Sequence, residues 1–254
     1  MAAPMELNLT FFALAVPAIL LAGISKGGFG SGASFAAAPI LALIVEPQYA
    51  VGVLLPLLML MDVTGLRPYW RKWDWPNARA LMIGAVPGVA AGVILFSYTS
   101  SDAVRLLIGL IAVGFVAFQI SRERGWLRLA PRGFSAWRGR VWGALAGFTS
   151  FVSHAGGPPA AVHLLSQPLT KEQYQATTVI VFWWVNILKF GPYAALGLFT
   201  WETFLANVVL APVAVAGTWM GVIAHRLIPE TVFFTITYVL LTLTGTKLIF
   251  DALT

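Results

Sequence analysis

The apolar residues fall in long runs rather than in the alternating pattern of a soluble domain. Leu9 to Gly23, Ala33 to Val45, Tyr49 to Leu66, Leu81 to Phe96, Ala103 to Ile120, Val141 to Phe151, Ala160 to Leu165, Tyr174 to Phe190, Trp201 to His225 and Thr231 to Phe250 are each almost free of charge. Several approach the roughly 20 residues that an α-helix needs to cross a bilayer. The runs at Leu9, Ala33, Val141 and Ala160 are shorter and come in pairs, and each pair is separated by a small-residue break.

The first break is Gly23-Ile24-Ser25-Lys26-Gly27-Gly28-Phe29-Gly30-Ser31-Gly32-Ala33-Ser34, with five glycines in ten residues and one lysine. The second is Ser150-Phe151-Val152-Ser153-His154-Ala155-Gly156-Gly157-Pro158-Pro159. Non-helical backbone at membrane depth survives only where protein or a water-filled cavity satisfies its N–H and C=O groups. Each break therefore either lies outside the membrane or lines something.

Composition decides the class. The chain has 254 residues, 59% of them hydrophobic and 10% charged, against about 25% charged in a soluble domain. An all-α polytopic membrane protein is the expected fold class, and a soluble protein with a large apolar core is excluded by the number of span-length runs. The net charge of +6 does not point to nucleic acid, because six of the 16 basic residues lie between Arg122 and Arg140, where membrane orientation accounts for them. With no cysteine there is no disulfide and no thiolate chemistry. The start of the chain has no basic segment of the kind that begins a cleavable signal peptide, so the first helix is expected to remain.

Landmarks recur at one offset. Pro87…Gly92 precedes Pro212…Gly217 by 125 positions, Pro47-Gln48-Tyr49 precedes Glu172-Gln173-Tyr174 by about the same, and Asp62 falls within one residue of Asn186. The chain thus divides into a first repeat at 1–121, a basic cytoplasmic linker at 122–140 and a second repeat at 141–254. The loop with Arg67, Arg71, Lys72 and Arg79 belongs inside, and its counterpart from Gly191 to Thr200, without Lys or Arg, belongs outside. The repeats are then inverted, each a broken, re-entrant-like helix hairpin followed by three transmembrane helices, and both termini are periplasmic. Inverted repeats with paired broken helices are the architecture of secondary transporters, whose substrates bind near the midplane.

The second half of each hairpin would begin inside the protein, and its free N–H groups and dipole suit an anion. The candidate substrate-binding residues are Ser25, Lys26, Gly27, Gly28, Ser31 and Ser34 in the first hairpin, and Ser153, His154, Gly156 and Gly157 in the second, with Pro158 at the first helical position. Asn186 and Lys189 join them from a full span. Lys26 could also snorkel from a helix end, and His154 could be a packed, hydrogen-bonded histidine. Asp62 and His154 are candidates for proton coupling, and Asp62 could instead pair with Lys189. His163 and His225 read as core and interfacial residues. No catalytic set, metal site or cofactor is expected, since the three histidines are scattered and no His-Glu-x-x-His motif or intramembrane carboxylate pair is present.

The motif Gly-Ile-Ser-Lys-Gly-Gly-Phe-Gly at 23–30 and the pattern Asn186-x-x-Lys189…Tyr193…Gly197 resemble the sulfite exporter TauE/SafE family of toluene-sulfonate uptake permeases. The resemblance covers nearly the whole chain. It implies a bacterial inner-membrane, multi-pass protein of two homologous halves that moves a small sulfur-containing anion such as sulfite, thiosulfate or an organosulfonate of the sulfoacetate type, with export as the direction. Lys26 with its glycines, and Asn186 with Lys189, occupy the family's motif positions; the second hairpin fits more loosely. The implied partners are that anion, protons as a coupling ion, membrane lipid and a second copy in a dimer, with no nucleic acid. The competing readings are an anion channel or uniporter for small oxyanions, a non-transport membrane scaffold, and a membrane enzyme. Paired broken helices at matching repeat positions favour the transporter.

Overall fold

The computed structural model describes residues 7–29, 34–126, 133–224 and 230–254. Gly30, Ser31, Gly32, Ala33 and His225, all named above, lie outside them. Among the described residues the chain is helical throughout, in ten α-helices: α1 (Leu9–Ile24), α2 (Ala37–Leu41), α3 (Pro47–Leu66), α4 (Trp75–Tyr98), α5 (Ser101–Glu123), α6 (Ala136–Ser153), α7 (Gly157–Leu164), α8 (Lys171–Ala195), α9 (Trp201–Ala224) and α10 (Glu230–Leu253). Six segments are long and apolar enough to cross a membrane: Leu9–Phe29, Pro47–Leu66, Trp75–Tyr98, Ser101–Glu123, Trp201–Ile223 and Thr231–Leu253. The protein is a multi-pass membrane protein. α8 is the longest helix at 25 residues, but its polar side chains, among them Asn186 and Lys189, keep it below that apolarity.

Local chemistry sets the helix ends. Pro47 sits in the first turn of α3, where its missing N–H costs nothing. Asp74 and Ser100 cap α4 and α5 by accepting from the N–H groups of Asn77 and Ala103. Thr170 and Gln173 form a reciprocal capping box at α8. These caps begin α4 and α8 earlier than their apolar runs do, at Trp75 rather than Leu81 and at Lys171 rather than Tyr174. α8 also runs through Pro192 to Ala195, into the segment read as a loop.

The breaks are narrower than their glycine content suggests. α1 does not stop at Gly23. It passes into a π-helical turn, Ser25–Phe29, and the combined Leu9–Phe29 segment is 21 residues, so the first run is long enough to span. A 3-10 turn, Ser34–Ala36, then leads into α2. In the second hairpin α6 runs through Ser150 to Ser153, and only His154, Ala155 and Gly156 separate it from α7.

Most of these glycines serve close packing. Along the α4–α6 contact, a Cβ on Gly84 would stand 2.0 Å from the Arg140 carbonyl oxygen, one on Gly88 2.0 Å from that of Ala144, one on Gly143 2.3 Å from that of Leu81, and one on Gly147 2.4 Å from that of Ala85. Along α1–α9, a Cβ on Gly27 would stand 2.1 Å from the Thr218 carbonyl oxygen and one on Gly221 2.3 Å from that of Ile24, while Gly23 and Gly217 back onto each other. Each contact is a small-xxx-small pair on one helix set into a small-xxx-small pair on the other, and backbones approach only where no side chain intervenes. α3 packs on α8 and α9, α8 on α3 and α4, and α5 on α10. Outward apolar residues such as Val208, Val209, Ile223, Val239, Leu243 and Phe250 give α9 and α10 a lipid-compatible face.

Replacing Gly88 by Ala is expected to force the α4–α6 backbones apart at a cost of about 1–3 kcal/mol and to lower the unfolding temperature in detergent by several degrees. Gly114→Ala, on α5 with open space around it, is the matched control and is expected to leave the temperature unchanged or raise it slightly. Equal losses for both would refute the packing role.

Candidate functional site

Two helices end inside the protein, and a helix end leaves carbonyl oxygens without partners. At the end of the π turn, Gln175 Nε2 donates to the Lys26 carbonyl at 2.8 Å and the Tyr69 hydroxyl to the Gly27 carbonyl at 3.2 Å. At the end of α6, Lys189 Nζ donates to the Ser150 carbonyl at 3.0 Å and the Tyr193 hydroxyl to the Phe151 carbonyl at 2.5 Å. Of these four donors only Lys189 is among the site candidates read from the sequence. Tyr193 was visible there as part of the Lys189…Tyr193 spacing; Gln175 and Tyr69 carry no sequence signal beyond being polar residues near a membrane boundary.

His154 closes α6 in the left-handed conformation, at φ 57° and ψ 11°. Glycine usually fills that position, so a β-substituted residue there stores strain. What holds it is a contact on each ring nitrogen. Lys189 Nζ lies 2.9 Å from Nδ1 and the Val51 carbonyl oxygen 3.0 Å from Nε2. An ammonium can only donate and a carbonyl can only accept, so Nδ1 is the acceptor and Nε2 carries the proton. His154 is thus a neutral imidazole with both nitrogens engaged.

Lys189 is fully buried. Its three acceptors are the Ser150 carbonyl and hydroxyl oxygens, each at 3.0 Å, and His154 Nδ1. An ammonium, with three N–H bonds, can donate to all three at once. Because the Ser150 hydroxyl accepts from Lys189, its own proton is left to point elsewhere. Lys189 does not pair with Asp62. The carboxylate is taken by Lys26, which reaches α3 from the π turn, forms an ion pair with Asp62 Oδ1 and donates to the Leu58 carbonyl at 3.2 Å. Asn186 Nδ2 donates to the other oxygen, Oδ2, at 2.6 Å.

These groups surround one small cavity, lined by Lys26, Ser34, Leu58, Ser150, His154, Gly157, Phe182 and Asn186. It has room for about one water. The structure brings together Lys26, Ser34, His154, Gly157 and Asn186 from the predicted set, with Asp62 and Lys189 directly behind. Ser150, the first residue of the second break and not among the candidate ligands, belongs to the lining, as do Leu58 and Phe182. Ser25, Gly27, Gly28, Ser153 and Gly156 are outside the lining. Gly27 packs against α9, the Ser153 hydroxyl donates to the Thr149 carbonyl at 3.2 Å, and Gly156 lies against Phe182 and the Ala146 carbonyl. The restarting helices also offer few donors. α2 has five residues, and Pro158 and Pro159 in the first turn of α7 remove two N–H groups. The polar side chains, more than the helix N-termini, furnish this cavity. His163, read as a core residue, is buried and contacts Asn77 Oδ1 at 2.7 Å.

The profile of the sulfite exporter TauE/SafE family matches residues 15–248. The chain belongs to that family. The TauE/SafE chain is also 26% identical over 150 residues to a protein of Cupriavidus necator named a probable sulfite/organosulfonate exporter TauE; the match takes in 58% of this chain and 57% of the relative. It therefore spans little more than half the length of that curated relative. No solved structure matches. The family is one of membrane exporters, and Lys26 and Lys189 lie within the matched residues.

Removing one partner of the buried pair tests its energetics. Lys26→Met leaves Asp62 buried without a cation and is expected to cost about 3–5 kcal/mol of stability. The double substitution Lys26→Met with Asp62→Leu is expected to recover most of that loss. Chemical denaturation in detergent measures both. A double variant as unstable as the single one would show that packing, not charge, governs the site.

Proposed function

We propose that the chain is a secondary transporter that exports a small sulfur-containing anion, such as sulfite or an organosulfonate of the sulfoacetate type, across the bacterial inner membrane. The observation that carries this reading is the charge of the buried cluster. Lys26 is neutralised by Asp62, His154 is neutral, and no carboxylate stands within ion-pair distance of Lys189 among the described residues. The carbonyl end of α6 offsets about half a charge. The remainder favours an anion beside Lys26, Ser150 and Asn186.

The ligand's hydrogen-bond partners are at hand. Two of the three N–H bonds of Lys26 are used by Asp62 and Leu58, and the third can turn to a ligand. The Ser150 hydroxyl proton and the second N–H of Asn186 add two more donors. Leu58 and Phe182 give the carbon skeleton of an organosulfonate an apolar neighbour. A sulfonate stays ionised at physiological pH, so its carrier cannot rely on protonating the substrate. An inside-negative potential favours export of an anion by about 2.3 kcal/mol per charge per 100 mV. The Cupriavidus relative's name gives sulfite and organosulfonate as the cargo of that protein, in line with this class of ligand.

Inverted repeats, with both termini periplasmic, form part of the same reading. Exchanging α1–α5 for α6–α10 preserves the most extensive helix packings: α1–α9 becomes α6–α4, α3–α9 becomes α8–α4, and α3–α8 and α5–α10 map onto themselves. Asp62 and Asn186, equivalent in the repeat register, bond to each other, as residues beside a two-fold axis do. The tip of the first hairpin lies against Gln175 in the first turns of α8, and the tip of the second against Val51 in the first turns of α3. The two tips thus enter from opposite directions. Lys72 pairs with Glu172 at 2.7 Å, in line with the basic 67–79 loop and the start of α8 sharing one side, which this reading takes as cytoplasmic from the loop's charge.

Thermal shift of the purified protein with sulfite, thiosulfate, sulfoacetate, taurine, sulfate and acetate tests the reading. The sulfur anions are expected to raise the unfolding temperature and acetate to do so least. Lys189→Met removes the positive charge behind the cavity and is expected to weaken the sulfur-anion response about tenfold or more. Stabilisation by acetate equal to that by sulfonates would defeat the proposal.

A further inference from the structure

The charges around the cavity count the charge of the ligand as well as its sign. This inference rests on the anion-carrier reading above. Lys26 and Lys189 are cations, Asp62 is an anion, and His154 has both ring nitrogens occupied in its neutral form. With its net charge of one positive unit, the cluster reaches neutrality when it takes up one monoanion. A dianion leaves it one unit negative, and an uncompensated buried charge is costly. The cluster must then gain a proton.

Only one group is placed to take it. Asp62 is buried, its two oxygens are held by Lys26 and Asn186, and both of those side chains line the cavity. Protonation of Asp62 frees the Lys26 ammonium for the ligand and raises the positive charge of the cluster to two units. His154 is a poor alternative. Its Nδ1 already accepts from Lys189, so a proton there would set one cation against another. Other charged groups are remote by position. α2 has none, α9 has Glu202 in its first turn, α5 has Asp102 and Arg105 near its start and Arg122 and Glu123 at its end, and α8 has Lys171 and Glu172 in its first turn. Lys26 and Lys189 are the charges that act on Asp62.

We propose that Asp62 matches the charge of the site to that of the ligand: a monoanion binds with Asp62 ionised, and a dianion binds with Asp62 protonated, one proton accompanying each dianion. The proton enters as the carboxylate becomes a carboxylic acid and leaves when the dianion is released. One carrier would then move monovalent sulfonates without protons and divalent sulfur oxyanions together with them.

Isothermal titration of the full chain in detergent, in buffers of different ionisation enthalpy, counts the protons directly. The probes are methanesulfonate, a monoanion, and thiosulfate, a dianion, at about pH 6 to 8, where neither ligand changes its own charge. The expected result is about one proton taken up per thiosulfate and none per methanesulfonate, with thiosulfate affinity falling by up to tenfold per pH unit as pH rises. In Asp62→Asn the thiosulfate-linked proton is expected to disappear. Equal proton uptake for the two ligands, thiosulfate binding without a proton, or a proton retained in Asp62→Asn would each overturn the proposal. The wild-type comparison decides it even if the variant does not fold. If both ligands bind with the same proton count, the anion-carrier reading stands and only the charge matching falls. If neither binds, both fall.

Discussion

A helix that stops inside an apolar slab leaves carbonyl oxygens that water cannot reach. This constraint governs the rest of the structure. Both hairpins have such an end, and donors from other elements meet each: Gln175 of α8 and Tyr69 of the 67–79 loop at the first, Lys189 and Tyr193 of α8 at the second. An unsatisfied polar group in hydrocarbon costs several kcal/mol, so these donors are structural requirements before they are anything else. Lys189 meets the requirement with a charge. Placing a cation at the negative end of α6 stabilises the break and at the same time leaves positive potential next to the cavity.

The donors can reach those carbonyls only because the hairpins are drawn tightly into the bundle. The glycine pairs of α1 with α9 and of α4 with α6 put backbone against backbone, and there is no room for a Cβ at most of these contacts. Close approach fixes the depth of each tip. Depth in turn decides which turn of α3 or α8 the tip meets, and hence that Lys26 finds Asp62 while His154 finds Lys189. The strain of a left-handed His154 is sustained by the same arrangement, since both ring nitrogens are held.

Much of this was legible in the chain. Run length gave the membrane class, and the shared offset set Asp62 within one residue of Asn186 in register, two side chains that bond to each other. Other features were hidden for definite reasons. Glycine frequency marks close contact as well as broken helix, and the two uses look alike in one dimension, so Gly23 and Gly27 read as part of a break although they lie on a helix face packed against α9. Charge pairing depends on depth rather than on order along the chain, which is why Asp62 could not be assigned to Lys26 over Lys189. The supply of N–H donors at α7 was overstated because Pro158 and Pro159, good markers of a helix start, also remove the groups an anion would use. Ser150 was undervalued because its importance comes from accepting a bond from Lys189, thirty-nine residues away.

The charge count has a consequence for direction. If the loaded site is neutral and the empty site carries one positive unit, the membrane potential does no work on the loaded carrier and acts on the empty one. An inside-negative potential draws a positive empty site back toward the cytoplasmic face, with about 2.3 kcal/mol per 100 mV for a full transit of the field. The return step is then the driven one, and each cycle leaves an anion outside. On the proposed charge count, export would follow from the sign of Lys189 together with the neutralisation of Lys26 by Asp62, without any ion gradient. A carrier with the same helices but a carboxylate in place of Asn186 would have a neutral empty site and a negative loaded one. The potential would still favour export, but it would act on the loaded step, and anion affinity would suffer from the added negative charge. On this reading, one carboxylate against two lysines would let the site bind an anion tightly and still place the electrical work on the step in which no anion is bound.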